Sequence, residues 1–220
     1  MVRIYFCKIK NPLPNELWEY YHAFLPPIER QKNSKYLRWE DRHAHLIGKV
    51  LLRHGLTEFG INTKKLNTIN YTSFGRPYLN APIDFNISHS GEMVVCALSN
   101  ENKIGIDIEK IDTTINVSDF DSIFSADEWQ YLKNAYFNHR VFFKLWVRKE
   151  SIVKAIGEGI TMPLNQINIL PESVVVKNKH WSLFEFLLDP DYCFCLTTVN
   201  KYCSIQNVPV NIYSPVKSMH

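Results

Sequence analysis

The chain has 220 residues, 45% hydrophobic and 21% charged, a globular composition with room for one large domain or two small ones. Its 25 basic and 22 acidic residues leave a net charge of +3. That excess does not mark a nucleic-acid binder, yet it allows a local basic pocket for a phosphorylated small molecule. No apolar run approaches the roughly 18 residues of a membrane span.

The opening run Met1-Val2-Arg3-Ile4-Tyr5-Phe6-Cys7 alternates and has no cleavage site, so residues 2–9 read as a first strand and not as a signal peptide. A short helix over 17–25 is stopped by Pro26-Pro27. Residues 29–59 read as one helical stretch, with Leu46, Val50 and Leu51 on a period near 3.6 and Gly55 and Gly60 suited to its end. Its many basic residues, Lys32 and Lys49 among them, read first as a solvated face. A strand follows at 66–71, then a turn at Phe74-Gly75-Arg76-Pro77. A hairpin is expected from 85–88 and 93–99 through Ser90-Gly91. The polar break at 100–103 divides the chain into 1–103 and 104–220.

The second half opens on a strand at 104–108. Ser125-Ala126-Asp127-Glu128 is a capping-box signature for a short helix to about residue 134. Asn138 caps a long helix to Ile156, closed by Gly157 and Gly159. Strands are expected near 166–170, 174–176, 181–187 and 192–199, with a loosely ordered tail from residue 209. Both halves combine strands with a long helix, which is an α+β class with two similar subdomains. Cys7, Cys96, Cys193, Cys195 and Cys203 are odd in number and lack a C-x-x-C pair, so free thiols in a reducing cytoplasm are the simplest account.

Three segments carry chemistry. In Ile104-Gly105-Ile106-Asp107-Ile108-Glu109 the isoleucines alternate, so Gly105, Asp107 and Glu109 share one strand face. Carboxylates about 7 Å apart along a strand repel unless a cation sits between them, and oxygen ligands suit Mg²⁺. Gly105 would let a ligand approach that face. On the helix at 141–156, Phe142, Leu145, Trp146, Ile152, Val153 and Ile156 form an apolar arc with Lys149 at its centre. Glu150 and Lys154 fall on the flank. A lysine in that place requires a compensating phosphate or carboxylate, or a path for its head to water. The third segment is Asn86-Ile87-Ser88-His89-Ser90-Gly91. Strand neighbours face opposite ways, so Ser88 and His89 are not a hydrolase pair; a hairpin-tip anion site fits them better.

Taken in order, Gly75-Arg76-Pro77, Phe85 to Gly91, Gly105 to Glu109, and Phe142-x-x-x-Trp146-x-x-Lys149-Glu150-x-x-x-Lys154-x-x-Gly157-x-Gly159 resemble the 4′-phosphopantetheinyl transferases. The layout is similar to the larger, surfactin-synthetase-activating type. The resemblance implies two α+β halves with coenzyme A bound in the cleft between them. It implies Mg²⁺, or Mn²⁺, held by Asp107, Glu109 and Glu150 with the pyrophosphate. Lys149 and Lys154 fall where pyrophosphate contacts stand. Lys32, Arg76, Ser88 and His89 fall in the 3′-phosphate region. Arg76 stands where lysine is common, and Glu29 and His45 stand where a basic residue and a threonine are often found. The implied reaction moves the phosphopantetheine arm onto a serine of an apo acyl or peptidyl carrier protein, with Asp107, Glu150 and Lys154 catalytic. The protein would be a cytoplasmic monomer. On the 110–136 segment, Phe120, Ile123, Phe124 and Trp129 read first as core residues, with a surface for the carrier as the alternative. A metal-dependent phosphohydrolase of coenzyme A or a nucleotide, and an inactive binding relative, are the competing readings.

Overall fold

The computed structural model describes residues 1–159, 163–199 and 201–213. It divides into two compact units. One comprises residues 1–71, 77–101 and the chain from Ser204; the other comprises 72–76 and 102–203. No helix among the described residues is long and apolar enough to cross a membrane.

The first unit is built on a four-stranded sheet. β1 (Val2–Lys8) runs antiparallel to β5 (Met93–Ser99), which forms a hairpin with β4 (Asp84–Ser90). The hairpin turns through Gly91 and Glu92, with Gly91 at a φ of 53°. The fourth strand comes from the far end of the sequence: Ile205–Pro209 (β10) pairs parallel with β1, Val2 opposite Ile205. This strand was not expected, and Ile212, within the tail expected to be loose from residue 209, is buried. This also moves the residues from 204 out of the C-terminal half expected at 104–220.

Against the sheet lies α3 (Trp39–Glu58), whose Leu46, Leu51, Leu52 and Leu56 meet Tyr5, Phe85, Val94 and Leu98 in one core. The single helix expected over 29–59 is two. α2 (Pro27–Asn33) starts on a proline at its first turn, where the missing N–H is harmless, and ends at Ser34. α1 (Asn15–His22) precedes it. The strand expected at 66–71 is mostly a 3₁₀ turn over Thr63–Thr68, leaving only β2 (Asn70–Tyr71) paired with β3 (Pro77–Tyr78).

The second unit repeats the plan with β6 (Ile104–Lys110), β7 (Ser173–Val176), β8 (Lys179–Glu185) and β9 (Tyr192–Thr198) in the order β6-β9-β8-β7, all antiparallel. Residues 166–170, expected as a strand, form no strand; Leu164–Gln166 is a 3₁₀ turn. α4 (Ala126–Asn134) starts at the expected capping box, with Ser125 and Glu128 bonding reciprocally. α5 (His139–Ile156) is capped by Asn138 and closed by Gly157 in the left-handed conformation at φ 80°. Phe142, Leu145 and Ile152 bury the inner face of α5 against Leu132, Trp181 and Cys195. Phe124 is in that core, and Phe120, Ile123 and Trp129 pack on it, which is the core reading of these residues and not the carrier-facing alternative.

Gly105 has a structural reason different from the expected one. A Cβ there would stand 2.0 Å from the Ser151 carbonyl oxygen and 2.4 Å from the Ala155 nitrogen. The glycine lets the backbone of α5 lie directly on β6, and not a ligand. This close approach brings the polar flank of α5 onto the strand face that carries Asp107.

Candidate active site

Asp107 is 2% exposed in β6, with Cys195 as its cross-strand neighbour. Lys154, from the last turn of α5, donates to Asp107 Oδ1 at 2.6 Å. Glu150 lies one turn earlier on the same flank. Burial raises its carboxyl above the ordinary carboxylate range, the negative charge of Asp107 raises it further, and Lys154 partly offsets both. The second unit thus brings two carboxylates and one ammonium into a single electrostatic group, as the strand period and the helix wheel implied. Glu109 follows Asp107 on the same strand and is partly exposed.

Of the carboxylate trio expected from the sequence, Asp107 and Glu150 lie close enough to repel each other. Among the described residues no three His, Cys, Asp or Glu side chains already stand together as a metal-binding group. The physical reason is charge. Three carboxylates in one partly buried place repel, and here the Lys154 ammonium is the counter-ion of Asp107. The donor set nevertheless suits a hard cation, because Asp107 and Glu150 are oxygen ligands whose mutual repulsion a divalent ion would relieve.

Lys149 is a correction. Its side chain is fully buried, and its three protons are spoken for: Glu128 Oε2 at 2.7 Å, Leu164 O at 2.8 Å and Ile167 O at 2.8 Å. It is a structural tie between α4, α5 and the segment at 164–167, with no proton left for a pyrophosphate. Burial lowers its tendency to hold a charge, and the Glu128 carboxylate offsets this only in part. Glu128 is the hub. One oxygen takes Lys149 and the Ser125 N–H, and the other takes the Ile169 N–H at 2.8 Å. The sequence held the signal for this partner, since a capping-box glutamate has lone pairs to share and a buried lysine needs an acid.

Arg76 is a second correction. It is 9% exposed, and its guanidinium donates to Lys154 O at 3.0 Å and Ile104 O at 2.9 Å. Its stem packs where a Cβ on Gly157 would fall. A cation on the last carbonyls of α5 is favoured by the helix dipole, and the guanidinium fork reaches two carbonyls as an ammonium could not. That accounts for arginine where lysine is common, and it engages the group expected at the 3′-phosphate.

In the first unit, Ser88 is buried and His89 exposed, on opposite faces of β4 as the strand period requires. His89 lines a cleft of about 320 Å³ with Lys10, Arg38 and Trp39. Lys32 Nζ stands 3.8 Å from Glu29 Oε1 and 3.3 Å from the centroid of the Tyr71 ring. Glu29, fully buried, also meets Lys49 and His45, so Lys49 is not part of the solvated face expected for the basic residues of this stretch. Lys49 sits inside the apolar run of α3, the same signal that singled out Lys149.

All five cysteines are free. Burial pushes the Cys7 and Cys195 thiols up to about 12 and Cys193 up to about 11, so none of the three is a ready nucleophile.

Comparison with known proteins gives the chain a family. The family model described as the 4′-phosphopantetheinyl transferase superfamily matches residues 103–209, and one described as the N-terminal part of a 4′-phosphopantetheinyl transferase matches 11–101. The 4′-phosphopantetheinyl transferase gsp of Aneurinibacillus migulanus is 33% identical over 168 residues, 75% of this chain and 70% of the relative. The 4′-phosphopantetheinyl transferase Sfp of Bacillus subtilis is 33% identical over 172 residues, 76% of each chain. The L-aminoadipate-semialdehyde dehydrogenase-phosphopantetheinyl transferase of Xenopus laevis is 25% identical over 197 residues, 75% of this chain and 65% of the relative. The chain belongs to the 4′-phosphopantetheinyl transferase superfamily and is an enzyme of that class.

Proposed function

We propose that the enzyme moves the 4′-phosphopantetheine arm of coenzyme A onto a serine hydroxyl of an apo carrier protein, releasing adenosine 3′,5′-bisphosphate. The observation that carries this reading is the group formed by Asp107, Glu150 and Lys154 where α5 lies on β6. Asp107, Glu109 and Glu150 would hold Mg²⁺, which when bound supplies charge neutralisation to the pyrophosphate. Glu150 takes the proton from the serine Oγ. The bond from Oγ to phosphorus forms as the bridging P–O bond breaks. The Lys154 ammonium, leaving Asp107, stabilises the charge that collects on the departing phosphate. Asp107 orients that lysine before substrate arrives. His89, with Ser88 beside it on β4, binds the nucleotide end of coenzyme A from its cleft in the first unit. The buried, thiol-rich interior suits a reducing cytoplasm, and the enzyme acts as a monomer on a transient carrier partner.

The test is intact mass. Purified enzyme with coenzyme A, Mg²⁺ and an apo carrier protein should add one phosphopantetheine arm to the carrier. No gain on any of several carriers, or release of adenosine 3′,5′-bisphosphate without an acceptor, would replace this reading with that of a phosphohydrolase or an inactive relative.

A further inference from the structure

We propose that Arg76 is a positioning residue for the transfer step: its guanidinium fixes the backbone of Lys154 against the head of β6 and so sets the Lys154 ammonium on Asp107. This rests on the transferase reading, in which Lys154 acts on the departing phosphate.

Every group involved belongs to the second unit, which takes in the turn at 72–76 as well as 102–203. The turn is closed from within, with Gly75 at a φ of 82°. The Thr72 N–H donates to Arg76 O at 2.9 Å, and the Gly75 N–H donates to Thr72 O at 2.9 Å. The Arg76 N–H donates to Thr72 Oγ1 at 3.1 Å. From this turn the Arg76 stem runs across Gly157, where a side chain would stand 2.5 Å from its Cδ. The guanidinium then joins two elements. Nε donates to Lys154 O at 3.0 Å, in the last turn of α5, and Nη2 donates to Ile104 O at 2.9 Å, at the start of β6.

These two carbonyls lead to one contact. Lys154 bears the ammonium that meets Asp107 at 2.6 Å, and Ile104 opens the strand that carries Asp107. About 10 Å of strand separates Ile104 from Asp107 by the rise per residue. The contacts therefore close a ring: Arg76 to Lys154, Lys154 to Asp107, β6 back to Ile104, and Ile104 to Arg76. Opening one joint of a ring frees its neighbours. The last carbonyls of a helix have no partner within it, and the last turn is where a helix frays. The close approach at Gly105 sets how near α5 lies to β6, and the Arg76 bonds set where its last turn ends. The buried guanidinium in turn needs those carbonyls, because a desolvated cation is costly without acceptors.

A misplacement of about 1 Å at a reacting group costs up to about 10²-fold in rate. Arg76 therefore acts on kcat through Lys154, and the binding of coenzyme A does not depend on it.

The experiment is a double-mutant cycle on transfer to one apo carrier, read by intact mass at a temperature where every variant is folded. Arg76→Met should lower kcat by about 10–10²-fold. The Kd of coenzyme A, measured by calorimetry, should stay within about threefold of wild type. Arg76→Lys keeps the charge without the fork, so its kcat should remain at least about fivefold below wild type. In the Lys154→Met background, adding Arg76→Met should change kcat by less than about threefold, because the lysine it acts through is gone. A merely structural arginine would lower the unfolding temperature and leave kcat of the folded enzyme intact, or would multiply the loss of Lys154→Met; either result overturns the proposal. Wild-type kcat with coenzyme A bound more than about tenfold more weakly also overturns it and makes Arg76 a ligand. If Arg76→Met does not fold, the cycle is run with Arg76→Lys and the same outcomes decide. No transfer by the wild type overturns the transferase reading itself, and this proposal with it.

Discussion

Lys149 and Lys154 lie five residues apart on α5, and both are ammonium groups facing a carboxylate. Lys149 is fully buried, meets a glutamate that is equally buried, and spends its other protons on two carbonyls. Lys154 is 29% exposed and meets Asp107 at 2.6 Å, beside a second carboxylate whose pKa is raised. Burial alone therefore does not mark the chemical group. What separates the two is the setting: Lys149 is sealed between two helices against one acid, whereas Lys154 reaches solvent beside two. A lysine with every proton placed is architecture, whereas a lysine at the edge of a crowded pair of acids can change partner.

Four changes would sharpen or break this contrast. The largest effect belongs to Glu150→Gln, which removes the proposed base; kcat should fall about 10²–10⁴-fold while the unfolding curve stays in place. A variant that keeps full activity refutes the role of Glu150. Next are Lys149→Met and Glu128→Gln. Each strands a buried charge, and denaturant unfolding should show a loss of about 3–5 kcal/mol. Wild-type stability with weakened binding of coenzyme A would return Lys149 to the ligand.

A smaller effect is expected from Glu29 in acid. Its folded value is about 2 against an ordinary 4.5, so the stability it contributes is present above 4.5 and is lost as the pH falls through about 2. The full shift corresponds to ~3 kcal/mol. Unfolding measured from pH 5 to pH 2 should slope less steeply in Glu29→Gln, and parallel curves would show that the cluster is not coupled to folding. The smallest change concerns Lys154→Gln. With its counter-ion gone, Asp107 should bind Mg²⁺ about tenfold more tightly by calorimetry, an energy of ~1.4 kcal/mol. Equal or weaker binding would mean that Lys154 does not compete with the cation.

Much of this was readable from local patterns. The alternation at 104–109, the Ser125 capping box, and the Asn138 cap and Gly157 close of α5 each depend on residues within a few positions, and each stands where expected. The failures share a different cause. β10 owes its existence to β1 at the opposite end of the sequence, and nothing in Ile205–Pro209 announces a parallel partner. The partner of Lys149 lies on another helix, and the reason for Gly105 lies in the backbone of α5. Residues 160–162, 200 and 214–220, which include part of the expected tail, fall outside the described residues.

The most direct test sets the two lysines side by side. Single-turnover transfer to an apo carrier, read by intact mass at a temperature where both variants are folded, should be within about threefold of wild type for Lys149→Met and reduced by about 10²-fold or more for Lys154→Met. The reverse order, with Lys149 essential to transfer and Lys154 dispensable, would contradict the assignment of the site.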